Sequence, residues 1–570
     1  MELKITKRNF VFLTKVFLLF LFATKSVNSY SEGLYNTNDK VVILNAYNFY
    51  SHVYYSNSSW IVKFYSNWCG HCIRYTPIWK TFARSVQELN SIVRVAALDC
   101  ANDINSQICR NNQVTRYPDL RFFSANSRPG SLGLSVENEN DVASMQKVLL
   151  NILETEKQEG RGYLWPNFIP YSGQSLQNIW QTVDDNVKHI VLIFENPGSI
   201  LGTSVILNFP ITPQIHIGRA LTYNSALTLI FLQRYASQTT MTINNPTSSD
   251  EIEKLIKDKL QNLGVMTNID LTNLVDEEKV SETPIPVDDK IHKSPDPKIQ
   301  QFGDVLFQLD LEKTLRYSLK HEIPMSRFIT EEKMSALKNY VNILTSYFPM
   351  QSNGTTYLLS LQKSISNLKF ITGENFGRFS SELENRLPTI YSGNDEWIGC
   401  RGSTNIYRGY PCGLWTMFHL LSVNFAKMDK EEDSGKVLKA MHGYVKNFFG
   451  CAECSRHFLQ MAEKNEIFQV KNKDEGILWL WRAHNEVNRR LAGDATEDPE
   501  HKKIQYPSIN DCPSCRDGDN NWIESNVLMY LKKKYSSSEV NFYGSSLEAK
   551  KLYYHQASQN SSPYMFFYRR

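Results

Sequence analysis

Apolar and polar residues alternate in two different rhythms along this chain. "SSWIVKFYS" (58–66) is a short apolar run rich in β-formers, "IWKTFARSVQELN" (78–90) has helical periodicity, and "IVRVAALDC" (92–100) and "LRFFS" (120–124) read as two further strands. A second mixed segment follows. In it "HIVLIFEN" (189–196) and "QIHIGRALTY" (214–223) read as strands and "SSDEIEKLIKDKLQNLG" (248–264) as a helix. The polar, proline-rich stretch around "ETPIPVDDKIHKSPDP" predicts a linker over 265–300. Beyond it the helical period takes over: "DVLFQLDLEKTLRYSLKHEI", "EEKMSALKNYVNILTSYF", "TYLLSLQKSISNLKF", "CGLWTMFHLLSVNFAKM", "VLKAMHGYVKNFFGCAECSRHFLQMAEK" and "GILWLWRAHNEVNRRLAG" all carry apolar faces. The expected architecture is multidomain, with an α/β N-terminal half and an all-α C-terminal half.

Composition changes this picture little. The 62 basic and 59 acidic residues leave a formal charge of +3, too balanced to point to nucleic acid or an acidic membrane surface. The first 29 residues read as a secretory signal: Lys4, Lys7 and Arg8, then an apolar run from Phe10 to Ala23, then small residues before Tyr30. The alternative is a retained anchor, but a span needs about 20 apolar residues. Export implies an oxidising compartment, in the secretory lumen or outside the cell. The sequons at Asn57, Asn353 and Asn560 are glycosylation candidates that fit it.

The ten cysteines fall into five close pairs: Cys69/Cys72, Cys100/Cys109, Cys400/Cys412, Cys451/Cys454 and Cys512/Cys515. They are too sparse for a disulfide scaffold, so the pairs read as clips or redox centres. Four thiolates from 451/454 and 512/515 could form a zinc site, but that spacing is long for one, and no metal is expected. Cys69-Gly-His-Cys72 follows the first central strand and opens a helix, which is a thioredoxin-like order, and Tyr117-Pro118 stands where such folds place a cis-proline. The second mixed segment has no cysteine and is expected to be a degenerate thioredoxin-like repeat.

"WCGHC" (68–72), "DCANDINSQICR" (99–110), "WIGCRGSTNIYRGYPCGLW" (397–415), "FFGCAECSRHF" (448–458), "LWRAHNEVNRRLAG" (480–493) and "CPSC" (512–515) together resemble the quiescin sulfhydryl oxidase family. The resemblance spans roughly 35–530. It implies a signal at 1–29, a redox-active thioredoxin-like domain at 30–160, and a cysteine-free one at 161–264. After the linker it implies a helical region at 301–390, an Erv-type oxidase domain at 391–530 and a tail at 531–570. It also implies FAD as cofactor, reduced protein thiols as substrates and oxygen as final acceptor, giving disulfides and hydrogen peroxide. The competing reading is a thioredoxin-like isomerase or chaperone whose helical half binds no flavin.

On this resemblance Cys69 is the exposed nucleophile, its pKa lowered by the helix N-terminus and His71, and Cys72 resolves the mixed disulfide. Cys451 faces outward to exchange with Cys69, and Cys454 lies against the flavin. Cys100–Cys109 and Cys400–Cys412 are expected to be static clips, and Cys512–Cys515 a clip or a third redox centre. Trp415 and His419 share a helix face at i and i+4, as do Trp481, His484 and Asn488. With Glu453, His457, Asn485 and Tyr506 these are the expected flavin contacts, and Arg408 and Lys503 would neutralise the pyrophosphate. Tyr506 stands where relatives often have tryptophan. Lys63 stands where relatives carry a buried carboxylate, so it would favour thiolates if its ammonium lies near.

Overall fold

The structure, a computed structural model, describes residues 33–265 and 304–546, apart from 173–175, 211, 224–225, 237, 245, 247 and 429–431. The expected signal, the linker from 266 onward, most of the tail and Asn560 lie outside the described residues.

Five strands build the first sheet: β1 (Val42–Leu44), β2 (Ser59–Tyr65), β3 (Val93–Asp99), β4 (Asp119–Phe123) and β5 (Leu134–Val136), in the order β1-β3-β2-β4-β5. β2 is buried along its whole length, as a continuous apolar run predicts for a strand covered on both faces. It runs parallel to β3 and antiparallel to β4. Helix α1 (Gly70–Ser85) leaves the end of β2, and α2 (Val142–Gln158) completes the module. β1 and β5, three residues each, are too short to show a period and were not expected.

The second sheet comprises β6 (His189–Glu195), β7 (Ile215–Leu221), β8 (Leu227–Gln233) and β9 (Thr239–Ile243), ordered β7-β6-β8-β9. Helices α3 (Leu201–Asn208) and α4 (Ser249–Asn262) cover it. Ser248 caps α4, its hydroxyl accepting from Glu251 N–H, and the helix buries Ile252, Ile256 and Leu260 against the sheet. Arg219 on β7 is buried. Its guanidinium meets Glu195 on β6 at 2.7 Å, and also meets Glu154 on α2 at 2.7 Å, which locks the two α/β modules together.

The C-terminal half contains α5 (Gln308–Tyr317), α6 (Glu331–Tyr347), α7 (Ser352–Ser366), α8 (Gly373–Asn385), α9 (Gly409–Ala426), α10 (Lys436–Asn447), α11 (Ala452–Lys464), α12 (Lys473–Leu491) and α13 (Glu524–Lys534). It is not purely α. Phe328–Thr330 (β10) and Phe370–Thr372 (β11) pair as a short antiparallel ribbon. α9, apolar on nearly every face, is the central helix. One chain of touching buried residues runs from the first sheet into this half, joined where Trp68 meets Tyr317, Tyr410 and Phe449. The segment 437–464, expected to be continuously helical, breaks at Phe448–Cys451. Apolar periodicity persists on both sides. The backbone groups at the break find partners outside the helix, described below.

The Arg219 cluster yields a stability prediction. Arg219→Met leaves the Glu195 carboxylate buried and unpaired, which should lower unfolding free energy by about 3–5 kcal/mol in denaturant titration. Adding Glu195→Gln should restore part of the loss, because the amide needs no charge partner and its carbonyl still accepts from Gly202 N–H and the Ser199 hydroxyl.

Candidate functional site

Both Cys-x-x-Cys motifs sit at helix N-termini. Cys69 caps α1 and Cys451 caps α11. The two ends face each other, and the sulfurs of Cys69, Cys451 and Cys454 all lie within 4.8 Å of one another. Cys451 and Cys454 are joined as a disulfide, whereas Cys69 and Cys72 are free thiols. Tyr117, which precedes the cis peptide to Pro118, pairs with the oxidised loop like a strand. Its N–H donates to Gly450 O at 2.8 Å and its carbonyl accepts from Ala452 N at 3.4 Å.

This docking corrects two expectations. Cys69 was expected to be exposed and Cys451 to face outward, yet both are fully buried, because each covers the other. Burial pushes the Cys69 thiol up rather than down. At Cys72 burial also raises the pKa, but the hydrogen bond from Cys69 and the charge of Lys63 outweigh it, so the net shift is downward. Lys63 lies beneath the dithiol, fully buried. Its ammonium donates to Tyr35 Oη at 2.8 Å and to Cys72 O at 3.2 Å. Burial lowers its pKa to about 8, against the opposing pull of Cys72 and Cys69.

Side chains absent from the sequence reading hold the contact. Trp68 enters a box of Tyr117, Tyr317, Tyr410 and Phe449, 5.1 Å from the Phe449 ring, and its indole N–H donates to Tyr317 Oη at 2.9 Å. Arg116 donates to Lys446 O at 2.6 Å, and to Phe449 O and Ser455 Oγ at 3.1 Å. It thereby satisfies carbonyls where α10 ends. Arg74 on α1 bridges Glu453 at 2.5 Å and Asp494 at 3.2 Å. Arg116 carried one available signal, its place beside Tyr117-Pro118. The box around Trp68 had none, because its walls come from distant segments.

Behind Cys454 opens a cavity of about 640 Å³. Arg408, Trp415, Cys454, His457, His484, Asn488, Lys503 and Tyr506 line it, with Phe458 and Tyr535. Trp415 stacks flat on His484, with 4.3 Å between centroids and 5° between planes. His419 sits one layer deeper, its Nε2 3.2 Å from His484 Nδ1, and stacks on Tyr535. Burial lowers the pKa of His419 to about 3 and that of His484 well below the usual range, the latter helped by His419 and Lys503, so both imidazoles are neutral. Besides His419, three expected contacts lie outside the lining. Trp481 and Asn485 instead clamp the Tyr506 backbone: Asn485 accepts from Tyr506 N and donates to Tyr506 O, both at 2.7 Å, and the Trp481 indole donates to the same carbonyl. Glu453 belongs to the contact with Arg74 and His71.

The cavity's chemistry fits a dinucleotide. Its volume falls within the range of cofactor pockets. Arg408 and Lys503 face it without an ion pair among the described residues, and burial lowers both pKa values, for Lys503 with help from Arg408. Arg408 Nε and His419 Nδ1 are buried without hydrogen-bond partners. Arg408 holds a positive φ of 60°, a costly conformation for a residue with a side chain, while its guanidinium donates to Gly399 O at 2.7 Å. Two cations without an ion-pair partner among the described residues, aromatic walls and a redox sulfur in one cavity match a pyrophosphate joined to flat rings.

The remaining pairs form local disulfides, Cys100–Cys109, Cys400–Cys412 and Cys512–Cys515. Their cysteines do not share the zinc-like grouping, and of the six only Cys412 reaches the cavity wall. Asn57 is exposed. Asn353 is half-buried and donates its amide to Pro388 O at 2.7 Å.

Comparison with known proteins gives three family matches: Thioredoxin over residues 40–147, FAD-dependent sulfhydryl oxidase over 304–403, and Erv1/Alr over 412–507. Sulfhydryl oxidase 1 of Gallus gallus is 33% identical over 530 residues, covering 89% of this chain and 68% of its own. Sulfhydryl oxidase 2 of Homo sapiens is 31% identical, covering 85% and 70%. Among solved structures, a sulfhydryl oxidase fragment of human QSOX1 is 33% identical and covers 42% of this chain and 98% of its own, with a TM-score of 0.39.

Two outcomes follow from this geometry. The unfolded chain protonates a histidine near pH 6.5, but folded His419 does so only near about 3. Between those values the unfolded state holds the extra proton, so stability falls as pH drops, by about 1.4 kcal/mol per pH unit. His419→Phe should therefore shrink the stability difference between pH 7 and pH 5 by about 2 kcal/mol in denaturant titration, and an unchanged acid limb would contradict a buried neutral imidazole. Separately, replacing Cys512 and Cys515 with serine should change turnover less than about threefold, under 1 kcal/mol of barrier. A hundredfold loss would make the pair a redox centre.

Proposed function

Because the chain belongs to the quiescin sulfhydryl oxidase family, we propose that its electrons run from Cys69/Cys72 to Cys451/Cys454 by direct exchange between the two docked modules. The protein is a flavin-dependent thiol oxidase that converts thiols to disulfides and reduces oxygen to hydrogen peroxide. This leaves the flavin-free isomerase reading without support. The observation that carries the relay is the grouping of three sulfurs within 4.8 Å, with the Tyr117 backbone bound to the oxidised loop.

The exchange balances as follows. Cys69 loses its proton and attacks Cys451 Sγ. A Cys69–Cys451 bond forms as Cys451–Cys454 breaks, and Cys454 leaves as a thiolate. Cys72, its pKa held down beside Lys63, then attacks Cys69 Sγ and frees Cys451. Two electrons and two protons have moved from the first dithiol to the second. FAD, when bound, supplies the two-electron acceptor and hands those electrons to oxygen. Arg408 and Lys503 would hold its pyrophosphate, Trp415 and Tyr506 would flank its rings, and Cys454 opens into the same cavity. The neutral imidazoles of His419 and His484 offer hydrogen bonds without adding charge. Reduced protein thiols enter at Cys69, and exposed Asn57 with the signal-like N-terminus supports a secretory location. No helix among the described residues is long and apolar enough to cross a membrane.

Cys72→Ser with Cys454→Ser removes both resolving sulfurs. With oxidised glutathione added, one thiol of the remaining pair is first capped as a mixed disulfide and the other then expels glutathione; the expected product is an intramolecular Cys69–Cys451 disulfide whose yield is independent of protein concentration, seen as a crosslinked peptide pair by mass spectrometry of a non-reduced digest. A bond that forms only between chains, or no bond while the Cys72 and Cys454 parent turns over, would defeat the single-chain relay.

A further inference from the structure

Behind the oxidised loop lies an acid that the exchange itself does not use. Residues Ser318–Glu322 form a π-helical turn after α5. Such widened turns are rare and concentrate at functional sites. This one carries Glu322 into the core, where it is 2% exposed. One carboxyl oxygen accepts the Gly450 N–H at 2.7 Å, and the other has no hydrogen-bond partner. Burial raises its pKa to about 8, opposed by that N–H and by Arg116, so at pH 7 the group is mostly the neutral acid.

Gly450 is thus held on both sides. Its N–H goes to Glu322 and its carbonyl to Tyr117 N–H. There is no room for a side chain between them: a Cβ on Gly450 would lie 2.5 Å from the Tyr117 ring and 3.4 Å from the Glu322 carboxyl. The next residue is Cys451, the electrophilic sulfur. A shift of Gly450 therefore moves both the carbonyl that Tyr117 reads and the sulfur that Cys69 attacks.

We propose that Glu322 is a positioning residue for transfer between the modules: by holding the Gly450 N–H, it presents the Gly450 carbonyl to Tyr117 and so aligns Cys451 with Cys69. This rests on the Cys69–Cys451 relay. Glu322 touches neither sulfur chemistry nor cofactor, and its effect passes through one backbone residue.

The test uses the full-length Cys72→Ser/Cys454→Ser chain, capped once with glutathione by exchange with oxidised glutathione, and reads the rate of Cys69–Cys451 trapping as glutathione is expelled. Glu322→Gln keeps a carbonyl acceptor and should stay within about threefold of the parent. Glu322→Leu keeps the volume but not the acceptor and should slow trapping about tenfold, the scale of one buried hydrogen bond lost. In chains with all other cysteines intact, Glu322→Leu should lower kcat/KM for a reduced protein by a similar factor. With Cys69→Ala added, oxidation of dithiothreitol entering at Cys451 should match Cys69→Ala alone within threefold, and so should flavin absorbance. If Glu322→Leu loses its flavin, Glu322→Asp replaces it: the same group, one carbon shorter, should trap at least fivefold more slowly. A parent that traps nothing overturns the relay and this inference together. A parent that traps while the Leu or Asp chain matches its rate overturns the inference alone. A Gln chain as slow as the Leu chain also overturns it, since the acceptor would not be what matters.

Discussion

Everything in the docked arrangement turns on two backbone hydrogen bonds between Tyr117 and the segment Gly450–Ala452. They exist because the helix that α10 and α11 would have formed is interrupted. A helix breaks at little cost only if its freed N–H and C=O groups find other partners. Here Glu322 takes the Gly450 N–H, Tyr117 takes the Gly450 carbonyl, and Arg116 takes the carbonyls of Lys446 and Phe449. The interruption gives α11 a fresh N-terminus, and the Cys451–Cys454 disulfide occupies it. Both redox motifs therefore gain the same device, a sulfur at the positive end of a helix, and the broken helix aims one at the other.

The charges around the relay divide into two zones. Beneath the thioredoxin-type site, Lys63 supplies a buried cation that lowers the Cys72 pKa. That favours the thiolate needed to resolve the mixed disulfide rather than the one that starts it. Beneath the oxidase loop, Glu322 is held neutral by burial and adds little negative charge next to the loop that carries Cys451. Farther on, His419 and His484 are stripped of charge while Arg408 and Lys503 keep theirs. The cavity thus has a neutral aromatic part and a cationic part, which is the polarity of a dinucleotide cofactor.

Much of this was legible in one sequence, and the failures share a cause. The seven apolar-rich residues of β2 announced a central strand, and a Cys-x-x-Cys directly after it announced a helix N-terminus. Helical spacing paired Trp415 with His419, and Trp481 with His484 and Asn488; of these Trp415, His484 and Asn488 line the cavity and His419 sits one layer deeper. It could not say that Trp481 and Asn485, at i and i+4 on α12, turn to the Tyr506 backbone, because that segment arrives from outside the helix. The break at Phe448–Cys451 was invisible for the same reason, since periodicity continues through it and its partners are 128 to 333 residues away. Cys69 was read as exposed because local pattern describes a domain alone, and its burial comes from a second domain.

That burial also limits how tightly the modules can hold each other. A client cannot reach Cys69 while Cys451 covers it, so the docked pair must part in each cycle. The contact is built accordingly. The Trp68 indole contributes roughly 1.5–3 kcal/mol of apolar burial, and each hydrogen bond from Tyr117 and Arg116 adds about 0.5–1.5. The partly exposed Arg74 pairs with Glu453 and Asp494 add about 0–1 each. Ordering costs at the interface offset much of that sum. Backbone pairing between Tyr117 and Gly450–Ala452 gives the contact its register each time it forms, so alignment of the sulfurs does not require a permanent interface. The same burial that raises the Cys69 pKa favours losing its proton before docking, when water and the α1 N-terminus stabilise the thiolate. Docking then strips water from that sulfur and brings it against the disulfide it attacks.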